Sequence, residues 1–219
     1  MSDNRFKWFE AIEKSEIWSN HHVSGTQERQ QALARERATL GRMTGQIENT
    51  PLLFVFSGLP GSGKSTLAQA LVRESGAVYI RVDTIEQALR DRCGINVGGE
   101  GYGLGYRVAL DNLRLGQNVV ADSCNPIALT RREWERVALG AGATHVDIEV
   151  VCSDIREHRS RVESRLSEVP GLKLPTWSEV MSREYHQWMT GRLVIDTAGR
   201  SSQESQAEML RQLKDLHAL

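Results

Sequence analysis

The chain has 219 residues, 40% of them hydrophobic and 25% charged, with 27 Lys and Arg against 28 Asp and Glu. That length suits one domain, or one domain with an appendage, and the composition can bury a core. The formal net charge of -1 excludes a global basic field able to hold a nucleic-acid backbone or an anionic membrane, so any phosphate binding has to be local.

The first 50 residues carry seven basic and seven acidic side chains and no β-branched run. Phe6, Phe9 and Ile12 form a helical stripe, and residues 26–43, with Thr26 as a cap, are rich in strong helix formers. A helical extension over residues 1–50 is expected, packing on the main domain, on a partner or on another copy, with substrate gating as the alternative. The charged start has no apolar leader, and the longest hydrophobic run, residues 52–56, is far short of the roughly 18 residues of a membrane span. Cys93, Cys124 and Cys152 are odd in number and form no CxxC pair, so the expectation is a cytoplasmic chain with reduced thiols and no membrane contact. Cys124 and Cys152 read as small core residues at strand ends.

From residue 51 to 219 the pattern changes to a second unit of short apolar runs between helical segments. Strands are predicted at 52–57, 77–82, 118–122, 145–152 and 192–197. Helices are predicted at 64–75, 84–92, 102–116, 128–140, 154–168, 176–190 and 202–217. Several strands are apolar without alternation, as in a mostly parallel α/β sheet covered on both faces.

Directly after the first strand, Gly58-Leu59-Pro60-Gly61-Ser62-Gly63-Lys64-Ser65 spells a complete GxxxxGKS, with Thr66 following in the helix it opens. Glycines there let successive N–H groups turn toward an anion, and the helix N-terminus adds partial positive charge. This P-loop (Walker A) reading gives nucleotide binding: Lys64 reaches the β- and γ-phosphates and the Ser65 hydroxyl ligates Mg²⁺.

Asp83, at the end of the second strand, faces the ligand crevice as a general base for an acceptor hydroxyl, or caps the next helix. The glycine-rich stretch 98–105 is either a flexible acceptor-side loop or a simple connector; it does not spell a dinucleotide fingerprint. Asp122, at the end of the third strand, either holds Mg²⁺ through water, contacts the acceptor, or belongs to a turn before Asn125-Pro126. It is followed by Ser123, where a hydrolytic motor would place a Glu. With no NKxD to read guanine, transfer to a bound acceptor is favoured over hydrolysis or GTP switching. Arg156, Arg159, Arg161 and Arg165 lie on the segment 154–168, either neutralising a transferring phosphoryl group or forming a solvated face. Residues 168–175, EVPGLKLP, read as a lid. Trp134, Trp177 and Trp188 suit helix-to-sheet packing more than base stacking.

Together the P-loop, Asp83, Asp122, the arginine-bearing helix and the lid resemble the P-loop kinases that include zeta toxins, chloramphenicol phosphotransferase and the kinase domain of polynucleotide kinases. RVDTIEQAL, NLRLGQNVVADSCNP, VVCSDIREHRSRVESR, PGLKLPTW and RLVIDTAGR are similar to bacterial proteins described as AAA-family ATPases or kinases. The resemblance covers residues 52 to about 217. It implies a P-loop NTPase three-layer sandwich with a parallel five-stranded sheet of order 2-3-1-4-5, use of ATP and Mg²⁺, and phosphoryl transfer to a small-molecule acceptor. Asp83 corresponds to the catalytic aspartate of the zeta and chloramphenicol enzymes, Arg161 and Arg165 approximately to lid-proximal arginines, and Thr197, Ala198 and Gly199 to adenine contacts. A nucleotide-gated interaction module and a toxin-like kinase are the rival readings; a nucleic-acid acceptor is disfavoured by the charge balance.

Overall fold

Five strands supply the carboxyl-terminal edge on which a ligand crevice can form: β1 (Leu52–Ser57), β2 (Val78–Arg81), β3 (Val119–Asp122), β4 (Thr144–Val151) and β5 (Leu193–Asp196). They pair in the order β2-β3-β1-β4-β5, every pair parallel. The structure is a computed structural model and describes residues 50–216 and 218–219. Residues from Pro51 onward form one unit; the helices expected within residues 1–49 lie outside the described residues.

The helices are α1 (Lys64–Ser75), α2 (Val82–Cys93), α3 (Glu100–Arg114), α4 (Ala128–Ala141), α5 (Ile155–Ser164), α6 (Trp177–Met181) and α7 (Ser202–Asp215). Side chains of β1 alternate between two apolar layers. Leu53 and Val55 pack with Ala109, Leu113, Trp134 and Val137 of α3 and α4. Phe54 and Phe56 pack with Leu67 and Leu71 of α1 and Met209 and Leu213 of α7. A strand buried on both faces has no polar alternation, which is why β1 reads as an unbroken apolar run. The result is a three-layer α/β/α sandwich.

Four expectations change. The predicted helix 176–190 stops at Met181, and the chain then runs over the polar face of β4. Tyr185 Oη donates to Glu149 Oε1 at 3.0 Å, Arg192 pairs with Glu149 Oε2, and the Arg131 guanidinium stacks 3.9 Å from the Trp188 ring centroid. Helix 154–168 ends at Ser164 and Arg165 is extended, ψ 147°, and the chain beyond it carries Glu168 to Gln69 and Arg81.

The glycine stretch 98–105 is largely the first turns of α3 and not a flexible acceptor-side loop. A Cβ on Gly101 would lie 2.3 Å from Glu86 Cγ, so its glycine allows α3 to approach α2. Cys124 is half-buried and not a core residue, whereas Cys152 is buried as expected.

Candidate active site

The loop from Gly58 to Gly63 wraps into the start of α1, whose N-cap, Gly63, is left-handed and offers no side-chain cap. There is no acidic residue in the first turn. The orphan N–H groups of a helix N-terminus therefore have no carboxylate competing for them, which favours an external anion. Lys64 is only 6% exposed and lines the cleft with Ser65 and Thr66.

Three segments from elsewhere hold this loop. Gly58 N–H donates to the Cys124 carbonyl at 3.1 Å, the Thr197 hydroxyl donates to the Ser62 carbonyl at 2.9 Å, and His158 Nε2 lies 2.9 Å from the Pro60 carbonyl. Gly58 has φ +141°, and a Cβ there would fall 2.2 Å from the Val150 carbonyl oxygen. The loop is thus keyed to the ends of β3, β4 and β5 at once.

The cleft it opens into has a volume of about 830 Å³ and is lined by eight Lys or Arg side chains against four carboxylates. That volume is of the size that small-molecule and cofactor sites take. Near-neutrality of the whole chain conceals a positive pocket.

Asp83 lies in the first turn of α2, whose N-cap is Arg81 and not Asp83. It lines the cleft with Glu86 and Arg90, and the spacing i, i+3, i+7 puts the three on one helix face. Burial pushes the Glu86 carboxyl up, opposed by its bond to Arg90 and reinforced by the charge of Asp83.

Of the four arginines on the segment 154–168, only Arg161 and Arg165 line the cleft. Arg161 donates to the Thr197 hydroxyl at 2.7 Å and the Thr197 carbonyl at 2.9 Å, and pairs with Glu157. Gly199 N–H, then Arg161, hold the Glu157 carboxyl below its ordinary value. Arg165 has its Nε buried without a partner; burial pushes its pKa down, while the nearby Cys124 and Asp83 favour its charge. Arg159 instead makes a surface pair with Glu163 at 2.8 Å.

Asp122 is 2% exposed and does not line the cleft. Tyr79 Oη donates to its Oδ2 at 2.6 Å, and burial, followed by the charge of Asp122, pushes the Tyr79 phenol up. Its other oxygen, Oδ1, is buried with no hydrogen-bond partner. One hydroxyl at Ser65 and one unsatisfied carboxylate oxygen suit Mg²⁺, which keeps several waters and takes few protein ligands. No cluster of three or more His, Cys, Asp or Glu that could hold a metal ion occurs among the described residues.

Thr197 lines the cleft; Ala198 and Gly199 do not. Their N–H groups are engaged by Asp196 Oδ1 at 3.1 Å and Glu157 Oε2 at 2.8 Å. Gly58, Leu59 and Ser62 also stay out of the lining, whereas Pro60, Gly61 and Gly63 are part of it.

A family model described as an AAA domain matches residues 53–182. The chain belongs to this AAA domain family. No curated protein matches its sequence. Among solved structures it is similar to a Chloroflexus aurantiacus protein assigned provisionally as a kinase (23% identity, 76% of this chain and 97% of that one, TM-score 0.59). Mycobacterium tuberculosis APS kinase in complex with AMPPNP and APS is similar at 22% identity (75% and 98% covered, TM-score 0.57). A gluconokinase from Sinorhizobium meliloti 1021 is similar at 17% identity (77% and 97%, TM-score 0.52). At these identities the likeness is one of fold, and the fold is that of the P-loop kinases.

Several residues in and around the cleft had no role assigned from the sequence. Arg81 donates to Glu168 Oε2 at 2.8 Å, and Gln69 donates to the same oxygen at 2.9 Å. These bonds latch the predicted lid to α1 and to the start of α2. Arg90, Cys124 and Arg183 complete the wall near Asp83. Their roles had no local sequence signal, because the partners lie up to 99 positions apart.

Beside Cys124, Asn125 is fully buried with φ +43°. Its Nδ2 donates to the Phe56 carbonyl at 3.1 Å and to the Ser57 hydroxyl at 3.2 Å, and its Oδ1 accepts from Trp134 Nε1 at 3.1 Å. No helix among the described residues is long and apolar enough to cross a membrane.

Proposed function

We propose that this chain transfers the γ-phosphoryl group of ATP to a hydroxyl of a small molecule. The observation that carries the reading is the meeting in one cleft of the phosphate loop with Lys64, the carboxylate of Asp83 and two arginines from the end of α5. The triphosphate lies on the bare N-terminus of α1, with Lys64 at the β- and γ-phosphates. Adenine rests toward Thr197, which lines the cleft where its neighbours Ala198 and Gly199 do not.

Arg161, already fixed by Thr197 and Glu157, and Arg165 offset charge that spreads over the γ-phosphoryl oxygens during transfer. Asp83 accepts the proton of the acceptor hydroxyl as its oxygen bonds to the γ-phosphorus; the bond from that phosphorus to the β–γ bridging oxygen breaks, leaving ADP. Ser65, with Asp122 through water, would hold Mg²⁺, which supplies charge neutralisation at the phosphates when bound. The absence of a glutamate after Asp122, where Ser123 stands, supports transfer over hydrolysis.

Kinship with zeta toxins and chloramphenicol phosphotransferase rests on Asp83. The reading assigns residues 51–219 to the kinase domain and 1–50 to an appendage, working in the cytoplasm. Acceptor-stimulated ADP release, screened over antibiotics, sugars, nucleosides and sugar nucleotides, tests it. Lys64→Ala should abolish turnover. Asp83→Asn should lower kcat by roughly 10²–10⁴-fold, the range of general-base contributions, with ATP affinity within twofold. Full activity of Asp83→Asn rejects the assignment of the base.

A further inference from the structure

Three of the eight cations of the cleft are ion-paired; Lys173 and Arg200, at its other edges, make no ion pair with any described residue. Arg81 is held by Glu168 at 2.8 Å, Arg90 by Glu86 at 3.1 Å and Arg161 by Glu157. Lys64 belongs to the phosphate loop. On the wall that carries Asp83, by contrast, Arg165 and Arg183 make no side-chain hydrogen bond or ion pair with any described residue.

Arg165 leaves its Nε buried and unsatisfied. A guanidinium has five donors and no acceptor, so a half-buried one without a carboxylate is costly until an anion arrives. Arg81 and Arg183 lie close enough to Arg165 to disfavour its charge further, while Arg183 also neighbours Glu86 and Glu179.

The backbone that presents Arg183 is fixed in advance. His186 N–H donates to the Pro126 carbonyl at 2.7 Å. Arg131 ties the same segment to the loop after β3, through the His186 carbonyl at 3.0 Å and the Asn125 carbonyl at 2.9 Å. Arg131 is itself stacked on Trp188. Arg183 therefore stands on a braced support, near enough to Glu86 on the Asp83 face of α2 for their charges to interact.

The geometry points to an anionic acceptor: a small hydroxylated molecule whose carboxylate or phosphate sits on Arg183, next to Arg165 at the transferring phosphoryl group, while its hydroxyl meets Asp83. This deepens the kinase reading and rests on it for the identity of the hydroxyl group. Planar guanidinium groups match both carboxylate and phosphate oxygens, which is the shared chemistry of the two possible sources.

The decisive measurement is calorimetric titration of the full chain saturated with AMPPNP and Mg²⁺, so that the phosphate loop is filled. Inorganic phosphate and acetate are the two probes, and they distinguish the sources. At least one should bind the wild type, and Arg183→Gln should weaken it tenfold or more while AMPPNP affinity changes less than twofold. Arg183→Lys should recover part of the loss. If neither probe binds the nucleotide-filled protein, or Arg183→Gln binds as well as wild type, the inference is wrong.

In kinetics, an anionic hydroxy compound such as gluconate or glucose 6-phosphate should stimulate ADP release more than glucose, with Arg183→Gln raising KM for the anion far more than it lowers kcat. Stimulation by glucose alone overturns the anionic acceptor but leaves the kinase reading standing. Probe binding that depends on Arg183, with no stimulation by any hydroxy compound, keeps the anion site and overturns the kinase reading instead.

Discussion

Asn125 joins the phosphate loop to the acceptor side, and its replacement by alanine is expected to destabilise the fold measurably. The change removes the acceptor for Trp134 Nε1, on a side chain that is fully buried. Leaving that donor unsatisfied costs about 1–3 kcal/mol. It also removes the Nδ2 bonds to the Phe56 carbonyl and to the Ser57 hydroxyl. Finally, alanine must adopt φ +43°, at a cost of about 1 kcal/mol relative to asparagine, which tolerates left-handed backbone.

The total is about 3 kcal/mol, a large part of the stability of an ordinary domain. Asn125→Gly separates the terms: it relieves the backbone strain and should recover about 1 kcal/mol while leaving the Trp134 donor orphaned. Urea denaturation followed by tryptophan fluorescence, with the slope of the transition unchanged, measures both. A loss below 1 kcal/mol for Asn125→Ala would mean that Trp134 finds another acceptor or that the left-handed turn is not needed.

Gly58→Ala should cost on the order of 2–3 kcal/mol, from a backbone region that suits only glycine and a clash with the Val150 carbonyl; thermal unfolding with and without AMPPNP would show a shift in both states. Glu168→Gln should loosen the segment 165–175, raising the rate of limited proteolysis there up to about fivefold, since a partly exposed pair is worth at most about 1 kcal/mol. The Gln69 bond, then that from Arg81, hold the Glu168 carboxyl below its ordinary value, so its contribution is complete above about pH 4.3, the ordinary glutamate value, and fades as pH falls through the lower folded value. Wild-type proteolysis should therefore approach that of the variant only in acid; convergence at neutral pH would count against the latch.

What the sequence made legible follows from how each part is built. The strands were readable to within a residue or two because burial on both faces leaves an apolar run that no surface segment resembles, and the phosphate loop was readable because its groups are contiguous. The segment after α6 misled for a physical reason. Residues 176–190 have the composition and length of a helix, yet Tyr185 and Trp188 are held by Glu149 on β4 and Arg131 on α4. Tertiary contacts overrode a pattern that local propensity could not distinguish from a helix. The lid latch was illegible because Arg81 and Glu168 are 87 positions apart, and neither residue alone differs from an ordinary surface charge.

The acceptor wall is harder to read from sequence than the nucleotide site. Phosphate binding at a helix start relies on backbone N–H groups, so a glycine pattern encodes it. The acceptor wall relies on side chains from four separate segments, the start of α2, the loop after β3, the end of α5 and the residue two past α6, and only the fold assembles them. Once assembled, eight cations against four carboxylates within a chain of net charge -1 leave the rest of the molecule net negative. A long polyanion reaching that cleft would lie against an opposing field beyond it, whereas a small anion would meet only the local positive one. Charge distribution, more than charge total, thus argues for an acceptor small enough to fit inside the pocket.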